Sequence, residues 1–253
     1  MPAFATLTAS LLRSLGTATH AFALTLDNYR IALAQRPFWS SLAYSALLAL
    51  CCATAAALLG AAIARLAQGS RGRLAAALEQ LTLAALAVPA IVLAAGFILF
   101  WNLPILHGLH IARYGTTAPL GIGYLAGSLP SAIRLIDPAL RSLQRSLFDA
   151  AAIHGGGRWR SVGLPRLSRP LLHTWLWSFV GILLELPLSP LLYPPGRNPL
   201  AITTNRRLEA YEFSVGTAME VVAACLAVCL CGLALALFRR LAPAGLRATG
   251  VAG

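Results

Sequence analysis

The chain reads as an all-α membrane protein, a bundle of five or six transmembrane helices. Three observations predict this. Of 253 residues, 58% are hydrophobic and only 11% charged, with a mean hydropathy of +0.73; a soluble domain of that length needs far more polar surface. The apolar residues gather into runs long enough to cross a bilayer, roughly 20 residues each. The basic residues are all arginine, giving a net charge of +12, and they cluster in short segments beside those runs. A pI near 10.7 in a soluble chain would point to nucleic acid. Arginines placed beside apolar runs instead fix orientation in a membrane, so the lipid bilayer is the partner and nucleic acid is not.

Residues 1–38 form an N-terminal segment. "MPAFATLTASLLRSLGTATHAFAL" is apolar but interrupted by Arg13 and His20. It has no charged lead into a continuous apolar core, so it makes a poor signal peptide. It reads as a marginal sixth span (residues 3–25) or as an external amphipathic segment, followed by an external loop, "TLDNYRIALAQRPFW".

Residues 39–241 form one transmembrane domain. The first span, Leu42 to Leu66, is rich in Ala and Leu, with Gly60 available for close helix contact. The second, Leu78 to Trp101, carries Pro89 in mid-span, where a kink is expected, and Trp101 as an interface anchor. The third, Ala118 to Ile136, is punctuated by Gly and Pro and only moderately apolar, so it belongs inside the bundle. Residues 137–170 read as a long basic loop. The fourth span runs from Leu171 to Tyr193 and the fifth from Phe213 to Phe238, closed by Arg239 and Arg240; residues 242–253 are a tail. One set of alternating segments holds about twice as many arginines as the other, and it includes the 137–170 loop and the C-terminus. That set is predicted to be cytoplasmic.

Several chemistries find no support. The five cysteines, Cys51, Cys52, Cys225, Cys229 and Cys231, all lie in apolar runs and read as small packing residues rather than a disulfide framework. Cys225 and Cys229 are one helical turn apart, but only Glu220 is near enough to extend a ligand set. His107 and His110 lack a third ligand, so no metal site is expected. There is no GxSxG, HExxH or GxxxxGK[ST], so no catalytic residue is assigned and no cofactor is expected on this chain. A membrane-embedded enzyme using His154, His173 and Glu185 fails on distance. His173 and Glu185 are 12 residues apart, roughly 18 Å along one helix. A passive channel would need a ring or filter motif, and none is visible.

The basic loop contains "FDAAAIHGGGRWRSVGLPRLSRP". Leu140, Leu143 and Leu147 recur at helical spacing; Gly155 to Gly157 stop that helix, and "RWRSVGLP" is a short second element ended by Pro165. A projecting helical hairpin with a small alanine face, a Trp and several Arg suits docking into a partner. The stretch resembles the EAA loop of ABC-importer inner-membrane permeases, the binding-protein-dependent transport systems. Asp149-Ala150-Ala151 stands for Glu-Ala-Ala, Gly155 holds the glycine position, Trp159 an aromatic position, and Leu164-Pro165 the closing pair. Two departures are Asp for Glu, and a shorter run from Gly155 to Pro165.

The resemblance extends over most of residues 25–241. "TLDNYRIAL", "LELPLSPLLYPPGRNPLA" and "YEFSVGTAME" are similar to segments of the ferric-iron branch, most like the second half of its permeases. It implies a type I ABC-importer permease fold in a bacterial cytoplasmic (inner) membrane, with no chemistry of its own. Asp149, Ala150, Ala151, Gly155, Arg158, Trp159 and Pro165 would couple it to an ABC ATPase dimer, which carries the ATP and Mg. A second permease half would complete the path, as a copy of this chain, a different chain or a fused half, since one loop and one set of spans are present. An external substrate-binding protein would deliver ferric iron or, alternatively, thiamine, a polyamine, a phosphonate or another small solute. Glu185 is read as the acidic residue deep in a span, and must face the bundle interior or water. With Pro187 and Ser189 it is assigned to the translocation path or gate; the other reading is a structural hydrogen bond.

Overall fold

A computed structural model of the protein describes residues 2–12, 24–69, 73–108, 114–143 and 164–241. Among these, the regular structure is helical: α1 Pro2–Leu11, α2 Asp27–Ala34, α3 Arg36–Gly69, α4 Arg73–Ala87, α5 Ala90–Trp101, α6 Pro104–Gly108, α7 Thr117–Arg141, α8 Leu164–Leu183, α9 Ser189–Leu192, α10 Leu200–Glu209 and α11 Phe213–Leu241. Two of them are long and apolar enough on their own to cross a membrane, over Arg36–Gln68 and Phe213–Arg240. They correspond to the first and fifth spans expected. Helices α7 and α8, of 25 and 20 residues, have the length of a bilayer crossing at about 1.5 Å per residue. They are more polar because they lie in the bundle interior, as the third span was expected to.

The second span departs from expectation. In place of a kinked helix, the chain breaks at Val88–Pro89 and turns by 101° between Gln80–Ala87 and Ala90–Trp101. Pro89 has no N–H to donate and disfavours helical geometry at the residue before it. Its own ψ of 139° is extended, and α5 starts afresh behind it. At 12 residues, α5 covers only about 18 Å, so this pair is a broken span or a re-entrant elbow. Trp101, expected at the interface, is 8% exposed.

Other boundaries move as well. The fourth span ends at Leu183, not Tyr193. Both flanks of the basic 137–170 segment are helical, since α7 continues to Arg141 and α8 begins at Leu164. Helix α7 ends at Arg141, with a turn at Ser142, and the remainder of the helix expected through Leu147 lies outside the described residues. Pro165 lies in the first turn of α8, where proline removes no needed donor, and the short element expected before it lies outside the described residues. Near the end of α7, Asp137 accepts from Arg141 Nε at 2.7 Å and from Gln68 Nε2 at 3.0 Å, tying α3 to α7.

The N-terminal segment is tied to the bundle. Helix α1 has ten residues, about 15 Å, and packs on α11. Buried Asn28 of α2 donates to the carbonyls of Ser10 and Leu12 at 2.9 and 2.8 Å, and the Ser10 and Tyr29 hydroxyls meet at 2.6 Å. These bonds take carbonyls at the end of α1 that have no intrahelical donor.

Helix α3 is the axis of the packing, with α7 and α8 against it. The central core joins Ala49, Cys52 and Ala53 of α3 to Leu120 and Tyr124 of α7 and to Phe179, Ile182 and Leu183 of α8. Small residues on α3 let the backbones approach. A Cβ added at Gly60 would meet the Cβ of Ala132 at 3.0 Å and its backbone carbon at 3.2 Å. We therefore expect Gly60→Val to force α3 from α7 and to cost about 1–3 kcal/mol. It should lower the thermal unfolding midpoint in detergent. Gly232→Ala, with nothing within 4 Å of its added Cβ, should leave the midpoint unchanged or raise it. Equal midpoints for the two variants would remove this contact from the fold's support.

Candidate functional site

The site is built on the interruption between α8 and α9. Helix α8 ends at Leu183, and Pro187 follows before the chain can resume a helix at Ser189. A break buried in the bundle, as at Leu188 and Ser189, frees backbone donors that need partners within the protein. The side chain of Glu185 takes them. Its Oε1 accepts from the Leu188 N–H at 2.7 Å, and its Oε2 accepts from the Ser189 N–H at 3.1 Å. The Ser189 hydroxyl lies 2.7 Å from the Glu185 carbonyl oxygen and 3.0 Å from Oε2. Tyr124 OH of α7 closes the group at 2.6 Å from Ser189 Oγ. Ser189 is fully buried and Tyr124 is 4% exposed. Gly123 permits this approach: a Cβ there would stand 2.8 Å from Leu188 Cδ2.

Two cavities flank the break. One, of about 230 Å³, is lined by Glu185 and Leu188, by Tyr124 and Ser128 of α7, and by Trp177 and Ser178 of α8; Ala90, at the Pro89 elbow, forms part of its wall. Ser178 Oγ is buried and has no hydrogen-bond partner among the described residues. The other, of about 530 Å³, is lined by Leu184 and Leu186, by α1, α10 and α11, and by the carboxylate-bearing Glu220. Leu184 and Leu186 thus face one cavity and Glu185 and Leu188 the other. The segment 184–188 is the wall between them.

Of the residues expected at a path or gate, Glu185 and Ser189 share one hydrogen-bonded group, and Pro187 lies in the break that the group supports. The hydrogen bonds of the Glu185 side chain go to Leu188 and Ser189, three and four residues on, and not to a helix packed alongside. The coupling residues Asp149, Ala150, Ala151, Gly155, Arg158 and Trp159 lie outside the described residues; Pro165 is placed only as part of α8. His107 and His110 are not described at the side-chain level. No group of three or more His, Cys, Asp or Glu suited to a metal occurs among the described residues. All five cysteines are free.

Glu185 is not the only acid within a span, because Glu220 is the eighth residue of α11. The rule that singled out Glu185 applies equally to it: an ionisable group in an apolar run. Tyr124, Trp177 and Ser178 carried no motif. Only the packing of α7 on α8 brings them to the break.

Residues 56–245 match the model of a family described as "Binding-protein-dependent transport system inner membrane component". No curated protein matches the chain. Solved structures are similar to the chain, among them two of bacterial transporters. The first is a bacterial ABC transporter involved in the import of the acidic polysaccharide alginate. Its TM-score is 0.68 at 14% identity, over 96% of this chain and 90% of that one. The second is a bacterial alginate ABC transporter in complex with an alginate pentasaccharide-bound periplasmic protein. Its TM-score is 0.64 at 16% identity, over 87% and 84%. At these identities the likeness is one of fold.

Replacing Glu185 by Ala strands two backbone N–H groups, at about 1–3 kcal/mol each. Glu185→Gln keeps an acceptor oxygen for one of them. The expected order of thermal midpoints in detergent is wild type, then Gln, then Ala. Amide exchange at Leu188 and Ser189 should quicken most in the Ala variant. Unchanged exchange at both amides would remove the carboxylate from the support of the break.

Proposed function

The chain belongs to the binding-protein-dependent transport system inner membrane components, the permeases of ABC importers, and from that premise we propose how it works and what it carries. The observation that supports the reading best is the cavity of about 230 Å³ beside the break, where Glu185, Ser128, Ser178 and Tyr124 put polar groups inside an otherwise apolar bundle. We assign this cavity to the translocation path, with Glu185, Pro187 and Ser189 as the wall that opens and shuts it. Such a wall can move as one piece, because its hydrogen bonds close on themselves.

The power stroke belongs to other chains. The 148–165 loop couples to an ATPase dimer that binds ATP and Mg, this chain binding neither. Asp149 pairs with a basic group there, Ala150 and Ala151 allow close packing, Gly155 ends the docking helix, and Arg158 and Trp159 anchor the contact. Pro165 leads the loop back into α8. A second permease half, a copy of this chain or a different one, completes the path. A binding protein delivers cargo from outside, and the arginine asymmetry supports a cytoplasmic C-terminus.

For cargo we propose ferric iron. The support is the resemblance of "LELPLSPLLYPPGRNPLA" and "YEFSVGTAME" to the iron branch, together with a path lined by carboxylate and hydroxyl oxygens, donors suited to a hard cation. A facing carboxylate opposes an anionic cargo, whether a phosphonate or the alginate carried by the structurally similar transporters. Thiamine or a polyamine fits the charge but not the sequence resemblance.

The test is co-purification of the detergent-solubilised chain with cellular proteins, beside an Asp149→Arg, Gly155→Leu double variant, with a candidate second half co-expressed. An ATPase is expected with the wild type and not with the variant. An ATPase retained equally by both would refute the assignment of the loop. With the complex in liposomes, iron-loaded binding protein should stimulate ATP hydrolysis and thiamine should not.

A further inference from the structure

The larger cavity is not used by this mechanism, and it holds a carboxylate with no partner among the described residues. Glu220 is half-buried on α11, within the apolar span Phe213–Arg240. It makes no hydrogen bond or ion pair with any described residue. The arginines of neighbouring α10 are turned elsewhere. Arg207 binds Glu212 and Gln35, and Arg206 donates to the Tyr193 hydroxyl. Asn205, which lines the cavity, gives its amide N–H to Glu209. Ala218 and Met219 of α11 are buried in a core with Phe38 and do not line the cavity, whereas Glu220 does.

A carboxylate among apolar side chains holds its charge only beside a counter-charge. The cavity specifies what kind. Its volume of about 530 Å³ far exceeds a bare ion, and its walls are chiefly apolar, from Leu7, Leu184, Leu186, Leu200 and Val221. No metal-ligand cluster occurs among the described residues. One negative charge in an apolar pocket of this size matches a cation that carries its own apolar body. We propose that this cavity binds an organic cation, its charged nitrogen at Glu220 and its apolar body against Leu7, Leu184, Leu186 and Leu200. The site lies across the 184–188 wall from the cavity assigned to the path, and it stands whether or not iron is the cargo.

Cys225 lines the same cavity and is exposed, whereas Cys229, one turn further along α11, is exposed but does not line it. The two thiols form a paired reporter. The full chain in lipid nanodiscs is treated with the cationic reagent 2-(trimethylammonium)ethyl methanethiosulfonate or the anionic 2-sulfonatoethyl methanethiosulfonate. Modification at each cysteine is followed by peptide mass spectrometry. Relative to Cys229, Cys225 should prefer the cationic reagent roughly tenfold, the effect of one unit charge about 8 Å away, five residues along the helix, in a partly hydrated site. Glu220→Gln should abolish that excess. Tetraethylammonium should slow labelling of Cys225 severalfold in the wild type, but not labelling of Cys229, and not in Glu220→Gln. The proposal is overturned if Cys225 and Cys229 show the same preference, if Glu220→Gln leaves the preference or the protection intact, if tetraethylammonium fails to protect, or if Cys225 reacts with neither reagent.

Discussion

A helix that stops inside a packed bundle leaves backbone donors and acceptors with no solvent to take them, and each one left buried without a partner costs about 1–3 kcal/mol. In this chain the stop is at Leu183, and the Glu185 carboxylate supplies what water would have supplied. The geometry has little slack. The two carboxylate oxygens serve successive N–H groups, and Ser189 uses one hydroxyl to reach both the carbonyl and the side chain of Glu185. Because the donors and acceptors belong to one short stretch, the break does not depend on a distant helix to remain satisfied. Tyr124 adds a single link to α7.

The seam of small residues follows from that constraint. An interrupted helix is wider and less regular than a straight one, so its neighbours must come close at the right places. Gly123 lets α7 approach Leu188 and Leu192, and Gly60 lets α3 approach α7 at Ala132. Burial along α3 accordingly falls on Ala49, Cys52, Ala53, Ala56 and Ala64, while its leucines Leu47, Leu50, Leu58 and Leu66 are exposed. That inversion of a soluble core is what a membrane helix needs. Lipid takes the large apolar side chains, while the protein interface takes the small ones and gains dispersion contacts from close approach.

What the sequence made legible was chemistry carried by single residue types. Long Ala/Leu runs give α3 and α11, Gly60 marks a close contact, Gly and Pro punctuation places α7 inside, and an acid beside two prolines marks the break. Geometry set by pairs of elements was not legible. Pro89 announces an interruption but carries no angle, and the 101° turn is fixed by what α4 and α5 each pack against. The boundaries at Arg141 and Leu164 were obscured because arginine continues a helix as readily as it enters a loop. Glu220 was legible and was missed: a single acid in an apolar run was weighed only as a partner for the cysteines.

The two carboxylates show why an acidic residue in a span does not carry one meaning. Glu185 and Glu220 line cavities on opposite faces of the same five-residue wall. Glu185 is anchored by three donors from its own chain, and its charge is partly neutralised by hydrogen bonds whatever else enters the cavity. Glu220 has no such donors among the described residues, so its charge is available to whatever occupies the space in front of it. Substituting the first should alter the shape of the wall, and substituting the second should alter only what binds against it. A displacement of Leu184–Leu188 toward either side would change both cavities at once, in opposite senses. On the proposed assignments, occupancy at Glu220 and the state of the path would be coupled through the wall they share, by an amount set by how differently the larger cavity binds its ligand in the two positions.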